Sequence, residues 1–447
     1  MKELITSQRE LFNQIHPQSY QKRINHLNNL KQAIRQHEEA IFKALYADLR
    51  KDKAEAFMTE VGLVYEEINH ALKHLKSWMK PKRVKISLAQ FPAKARILSE
   101  PFGQVLIMSP WNYPLMLTLV PLVGAIAAGN VVIVKPSAYA PHIAAVMKTI
   151  VEQAFPQQEV VLFLGGRSVN EEILTYKFDY IFFTGSTGVG KTVMRKASED
   201  LTPLTLELGG KSPCIIVGDS DLTLAARRIA WGKLINMGQT CVAPDYLIVE
   251  KKHEKIIELI NNYFKKSKED MLKLPKIINE KHYLRLKGYL QEIGLNNYDD
   301  EHQIIFPTLV VNPKLDSGVM QEEIFGPILP VLLVDSVSEV AAFVAQRPKP
   351  LAMYVYSDDK SAVDFLLKHT SSGSFTVNDN LMQLASSYLP FGGVGDSGMG
   401  SYHGHQSFLT FSHQKSVLYK SKKLDLKFRY KKDEAAYRMA KKIIHTK

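Results

Sequence analysis

Two side chains in this sequence have types and settings that suit covalent chemistry. Glu207 closes an apolar run, Leu204-Thr205-Leu206-Glu207-Leu208, that stops at Gly209 and Gly210; Cys241 follows Gly238-Gln239-Thr240. A carboxylate at the end of a strand projects from the element rather than from a solvated helix face. Partial desolvation there raises its pKa and makes it a usable proton acceptor. A free thiol titrates near ~8.5, and a nearby base or helix N-terminus enlarges the thiolate fraction. An isolated cysteine or glutamate is ordinarily a packing residue; the glycine-marked flanks single these two out. Asn112, on a stiff loop between Pro110 and Pro114, offers a side-chain amide that can donate to an oxyanion, although asparagine is also a common turn former.

The elements that must carry these groups alternate. Residues 3 to 80 read as helices, with Ile24, Leu27, Ile34, Ile41, Leu45 and Leu49 at helical spacing. Residues 81 to 101 turn basic, and the alternation of Val84, Ile86 and Leu88 predicts a hairpin, either a plain surface one or one that pairs with another subunit. Val105 to Met108 then reads as a buried strand leading to Asn112, and Val131 to Lys135 as another whose terminal lysine lies where α/β sheets bind ligands. A helix through Glu152 and strands over 160–164 and 180–184 follow. This alternation predicts an α/β fold with a mainly parallel, doubly wound sheet. No charge falls between Glu100 and Lys135, yet Pro110, Pro114, Pro121, Gly124 and Gly129 break the stretch into buried strand, loop, helix and strand rather than a membrane span.

Gly185-Ser186-Thr187-Gly188-Val189-Gly190-Lys191-Thr192 satisfies the P-loop pattern after the strand Tyr180 to Thr184. A glycine-rich turn feeding a helix N-terminus suits a phosphate-bearing ligand of either kind. An ATPase reading leaves Glu207 and Cys241 idle, and its candidate magnesium ligand, Asp219, follows an interposed Gly218. A non-catalytic scaffold is the third reading.

The chain has 447 residues, 45% hydrophobic and 23% charged, enough for two or three soluble domains. Cys214 and Cys241 form no disulfide framework and suit a reducing cytoplasm, and the polar start is unlike a secretory signal. The net charge of +12 is concentrated at one end: twelve Lys or Arg against three Asp or Glu fall between Lys415 and Lys447. The body is near neutral, which argues against a nucleic-acid binder. Residue spacing suggests no metal site, and histidines such as His37 and His74 read as surface or packing residues.

Pro110-Trp111-Asn112-Tyr113-Pro114, Phe183-Thr184-Gly185-Ser186-Thr187, Leu206-Glu207-Leu208-Gly209-Gly210-Lys211, Gly238-Gln239-Thr240-Cys241, Glu322-Glu323-Ile324-Phe325-Gly326-Pro327 and Leu389-Pro390-Phe391-Gly392-Gly393-Val394 stand in the order found in the aldehyde dehydrogenase superfamily. Ala243-Pro244-Asp245-Tyr246 and Ser397 to Gly404 resemble its class 3 branch, which includes fatty aldehyde dehydrogenases. The resemblance spans roughly residues 1 to 420.

The resemblance implies that Gly185, Ser186, Thr187, Gly188, Val189 and Gly190 hold the pyrophosphate of NAD or NADP. It also implies that Lys135 contacts the adenine ribose, Glu323 holds the nicotinamide ribose and Phe325 packs near the ring. Cys241 then attacks the aldehyde carbon, Asn112 and the Cys241 backbone N–H bind the oxyanion, and Glu207 activates the water that hydrolyses the thioester. Transfer of the acyl group to coenzyme A is the alternative fate, against which Glu207 argues. The implied architecture is a cofactor domain of residues 1–83 and 99–207, a catalytic α/β domain of 208–400, oligomerisation segments 84–98 and 401–420 supporting a homodimer, and a basic tail of 421–447.

Two departures stand out. Ala138 stands where branch members commonly carry Glu, and without a carboxylate near the adenine ribose a 2′-phosphate is not repelled, so NADP is expected to be accepted at least comparably to NAD. The segment from Lys265 to Lys276 looks shortened, a change expected to affect a surface connection more than the site. In the tail, Ala436, Met439, Ala440, Ile443 and Ile444 keep helical spacing among basic residues, which suits either peripheral contact with an anionic membrane or a solvated tail.

Overall fold

A computed structural model describes residues 1–445; residues 446 and 447 of the basic tail lie outside the described residues. Two six-stranded sheets dominate the fold. In spatial order the first contains Gly398–Met399, Leu204–Glu207, Tyr180–Thr184, Gln104–Met108, Val131–Lys135 and Val160–Leu162. All its pairings are parallel except that of the short edge strand Gly398–Met399. The three strands Gln104–Met108, Val131–Lys135 and Tyr180–Thr184 are buried throughout, as continuous apolar runs in a parallel sheet covered on both faces must be.

The charge-free stretch is explained by the helix Met116–Ala128, every residue of which is buried. Apolar on all sides, it lies at the centre of the domain and ends at Gly129, whose φ of 94° is readily adopted only without a side chain. Register then sets the site: Met108 pairs with Lys135 and Phe183, and Thr184 with Glu207. The loops to Asn112 and Gly185 and the side chain of Glu207 therefore leave from one carboxyl edge, where such sheets bind ligands.

The second sheet runs Thr308–Val311, Ile328–Val334, Tyr246–Glu250, Pro213–Ile216, Ala352–Tyr356 and Ser374–Val377, all parallel. Cys241, Gly209 to Lys211 and Glu322 to Phe325 each precede one of its strands, so its amino edge meets the carboxyl edge of the first sheet. Outside both, Lys82–Val84, Ala93–Pro101 and Ser412–Lys420 form an antiparallel arm. The hairpin exists, but the predicted alternation past Val84 does not continue as strand: Leu88 lies in a 3-10 turn and is exposed.

The N-terminal helices are Lys2–Ile15, Tyr20–Gln36, Glu38–Leu49 and Lys53–Ala56; the last passes through a π-helical turn, Phe57–Val61, into Gly62–Trp78. Among the described residues no helix is long and apolar enough to cross a membrane.

Candidate active site

Glu207 ends its strand, is 3% exposed and has no hydrogen-bond partner for either carboxylate oxygen among the described residues. Burial drives its pKa well above the ordinary carboxylic value, as expected for a group at the end of an apolar run.

Cys241 follows a left-handed turn. Asn236, Met237 and Gly238 have φ of 47°, 50° and 71°. A Cβ on Gly238 would fall 2.4 Å from Gly326 O, so the turn admits glycine alone there. The N–H groups of Cys241 and Val242 favour the thiolate, but burial, then Glu323 and Glu207, push the thiol upward. Burial thus works against the local activation the sequence suggests, while the two backbone N–H groups work for it.

Two cavities meet at these groups. One, of about 470 Å³, is walled by apolar side chains including Phe57, Met58, Leu117, Trp231, Met382 and Phe391, and Cys241 and Glu207 lie on it. The other, of about 360 Å³, is bounded by Asn112, Gly185, Ser186, Thr187, Glu323 and Phe325, and Cys241 and Glu207 lie on it too. Rings close the second: Trp111 is 5.1 Å from His282 and 5.4 Å from Phe325. Burial, then Arg285 and Lys281, lowers the pKa of His282 to about 4, so the ring is neutral.

Of the residues singled out in the sequence, the geometry gathers Asn112, Gly185, Ser186, Thr187, Glu207, Cys241, Glu323 and Phe325 around this second cavity. Lys135 stands at its strand end, but its Nζ donates to Pro136 O at 2.7 Å and it is off the cavity wall; burial lowers its pKa to about 8. Gly188, Val189 and Gly190 also lie off the wall, within the helix Thr187–Glu199. Asn112 Nδ2 donates to Gln239 O at 3.1 Å, which orients the amide and leaves its second N–H for the cavity.

Several supporting residues were passed over in the sequence. Lys211 forms an ion pair with Asp245 and donates to Val319 O and Glu322 O, each at 2.8 Å, while Ile324 N donates to Asp245 Oδ1 at 2.9 Å. Together they fix the segment that presents Glu323, whose pKa is raised to about 8 by burial and then by Asp245. The Gly-Gly-Lys and Pro-Asp neighbours of the motifs were the available signal. Lys233 is fully buried with no Nζ partner among the described residues, and burial lowers its pKa to about 8; on a helix it reads as solvated. The shortened segment also reaches the site: Gln239 Nε2 donates to Lys276 O, and Ile278 N donates to Gln239 Oε1, each at 3.0 Å. Its end therefore braces the residue two before Cys241.

A family model described as "Aldehyde dehydrogenase family" matches residues 1–417. The chain belongs to the aldehyde dehydrogenase family. It is 44% identical over 409 residues to 4,4'-diaponeurosporen-aldehyde dehydrogenase of Staphylococcus aureus, covering 89% of each chain. It is 42% identical to the dimeric NADP-preferring aldehyde dehydrogenase of Rattus norvegicus, over 92% of this chain and 93% of that one. A solved structure described as the substrate-bound state of Staphylococcus aureus AldH superposes with a TM-score of 0.93 and 40% identity, covering 99% of both chains. As an aldehyde dehydrogenase the chain oxidises aldehydes. The ATPase reading falls for a physical reason as well: the helix begins at Thr187, so Gly188 and Gly190 lie inside it rather than in a phosphate-cradling loop, and Lys191 is exposed.

Proposed function

We propose that the chain oxidises apolar aldehydes to carboxylic acids with NAD(P), with Cys241 as nucleophile, Asn112 and the Cys241 N–H as oxyanion donors and Glu207 as the base for thioester hydrolysis. The observation that carries this reading is the meeting of an apolar cavity and a more polar one at Cys241 and Glu207. The polar side fits a dinucleotide: Ser186 caps no N–H of the helix Thr187–Glu199, leaving first-turn donors for phosphate, and Glu323 Oε1 is buried without a partner, suited to a ribose hydroxyl. Lys135 belongs on the adenine side and Phe325 beside the ring, while Gly188, Val189 and Gly190 lie within the first turns of the helix behind the phosphate-facing N–H groups. When bound, the nicotinamide supplies the two-electron acceptor.

The chain's own groups do the rest. Cys241 gives its proton to solvent and its sulfur adds to the aldehyde carbon, so that the carbonyl oxygen becomes the oxyanion that the amide of Asn112 holds. After oxidation to the thioester, Glu207, having first released its own proton to solvent, takes a proton from water as the hydroxyl adds and the thiolate leaves. The apolar wall matches an alkyl or polyene chain more than a polar one. Domain limits of 1–83 with 99–207, 208–400, and 84–98 with 401–420, and dimerisation through the arm, complete the proposal, with a cytoplasmic location.

The test is aldehyde-dependent absorbance of reduced nicotinamide with octanal. Cys241→Ala should abolish it, and Glu207→Gln should slow turnover by ~10²- to 10⁴-fold while leaving the first-turnover burst. A Glu207→Gln enzyme with unchanged turnover sinks the assigned base.

A further inference from the structure

Behind Asn112, on the side away from the cavities, lies an ion pair that the reaction as described does not use. Lys51 and Glu60 have side chains with 0% exposure, and Lys51 Nζ is 2.6 Å from Glu60 Oε1. The same ammonium donates to Asn112 O at 2.9 Å and stands 3.9 Å from the centre of the Tyr113 ring. Glu60 Oε2 accepts from Leu115 N at 2.8 Å and Met116 N at 3.3 Å, where the central helix begins. One lysine and one carboxylate thus grip residues 112, 113, 115 and 116 together.

The grip extends both ways. Glu60 belongs to the π-helical turn Phe57–Val61, whose Phe57, Met58 and Thr59 line the apolar cavity while Glu60 turns inward. One turn earlier, Glu55 Oε1 accepts from Asn236 N at 2.8 Å, in the left-handed turn before Cys241. Tyr113 in turn shares a 2.6 Å hydrogen bond with Thr240. A single segment from residue 51 to 60 therefore braces the loop of the oxyanion donor, the loop of the nucleophile and the aldehyde-side wall.

A buried ion pair returns little net stability, because desolvation offsets most of its attraction. Its consequence is geometric: two acceptors and a ring face are fixed around one point. We propose that Lys51, held by Glu60, is a positioning residue that sets the Asn112 amide against the oxyanion at Cys241 and ties it to the wall that receives the aldehyde chain. The proposal rests on the oxyanion role given to Asn112 above.

The test is a double-mutant cycle on the full-length enzyme, with octanal and NAD⁺, reading the first-turnover burst, steady-state kcat and KM, cofactor binding by fluorescence and melting temperature. Asn112→Ala should slow the burst by ~10²-fold. Lys51→Met should slow it by ~10- to 100-fold with cofactor binding retained, as a displaced donor does. The double variant should be no slower than Asn112→Ala alone, because both act through one amide. Losses that multiply in the double variant, or a Lys51→Met burst at the parent rate, overturn the clamp while leaving the Asn112 role intact. An Asn112→Ala enzyme with the parent burst overturns that role and the clamp with it. If Lys51→Met does not fold, Glu60→Gln decides on the same criteria: it keeps an acceptor for Leu115 and Met116 and removes only the charge opposite Lys51.

Discussion

Asn112 and Asn236 share one acceptor: each side-chain amide donates to Gln239 O, and both bonds measure 3.1 Å. Asn236 Nδ2 also donates to Asn112 O at 2.8 Å. The loop carrying Asn112 and the loop carrying Cys241 are therefore one polar unit, closed over buried carbonyls. Asn236→Gly is the informative change, because glycine tolerates the φ of 47° and isolates the amide. Loss of donors to two buried carbonyls should cost ~1–3 kcal/mol of stability. Loosening of Asn112 relative to Cys241 should slow the first-turnover burst by ~10-fold or more. Thermal melts and stopped-flow absorbance check both; parent values in both would show that the shared acceptor does not matter.

Glu207 carries a stability cost that its position predicts. Burial raises its pKa well above 4.5, and no described group hydrogen-bonds to its oxygens. The folded state thus holds a proton that the unfolded state releases. The contribution of Glu207 is fully present below the ordinary value of 4.5 and is lost as pH rises from there towards the raised folded value. Glu207→Gln lacks this loss, so its stability advantage over the parent should grow by ~1.4 kcal/mol per pH unit across that window. Paired denaturation curves at pH 5 and pH 8 measure it. A variant no more stable than the parent at pH 8 contradicts the unpaired burial of this carboxyl group.

Ala138 is exposed just beyond Lys135, and an alanine there offers no carboxylate to repel a 2′-phosphate. NADP⁺ should be used at least comparably to NAD⁺, and Ala138→Glu should lower kcat/KM for NADP⁺ by ~10-fold while sparing NAD⁺, the loss expected of one unscreened like charge. Initial rates with both cofactors decide; a strong preference of the parent for NAD⁺ overturns the reading.

What the sequence disclosed and what it hid follow from local and distant interactions. The strand Tyr180–Thr184 was legible because a continuous apolar run bounded by turns needs no partner to be recognised. Glu207 and Cys241 stood out because glycines beside them mark chain reversals. The pairing of Lys51 with Glu60 was not legible, since both fall in Lys51-Asp52-Lys53-Ala54-Glu55, a charged helical surface in appearance, and its continuation to Glu60. Only the packing of residues 112 to 116 over them makes that face interior. The strand Gly398–Met399 was hidden for another reason: two residues carry no periodicity, and register with Glu207 alone defines it.

The basic tail divides its apolar residues between two directions. In the helix Glu434–His445, Ala440 and Ile443 face a cavity of about 470 Å³ shared with Ala89 and Leu418 of the arm. Tyr437 and Met439 are exposed on the other side, as is Tyr430 before the helix, while Ile444 is exposed at the rim of the cavity. An amphipathic helix with aromatic and aliphatic side chains outward and lysines beside them suits the surface of an anionic bilayer, where each Lys or Arg adds ~1 kcal/mol. The full chain should sediment with vesicles of phosphatidylserine and phosphatidylcholine and be released by 0.5 M salt, a concentration that leaves a Debye length of roughly 4 Å. The form lacking residues 421 to 447 should stay in the supernatant while still oxidising octanal. Equal sedimentation of the two forms would assign the tail to the arm alone, because the face turned towards Ala89 and Leu418 would then be its only docking surface.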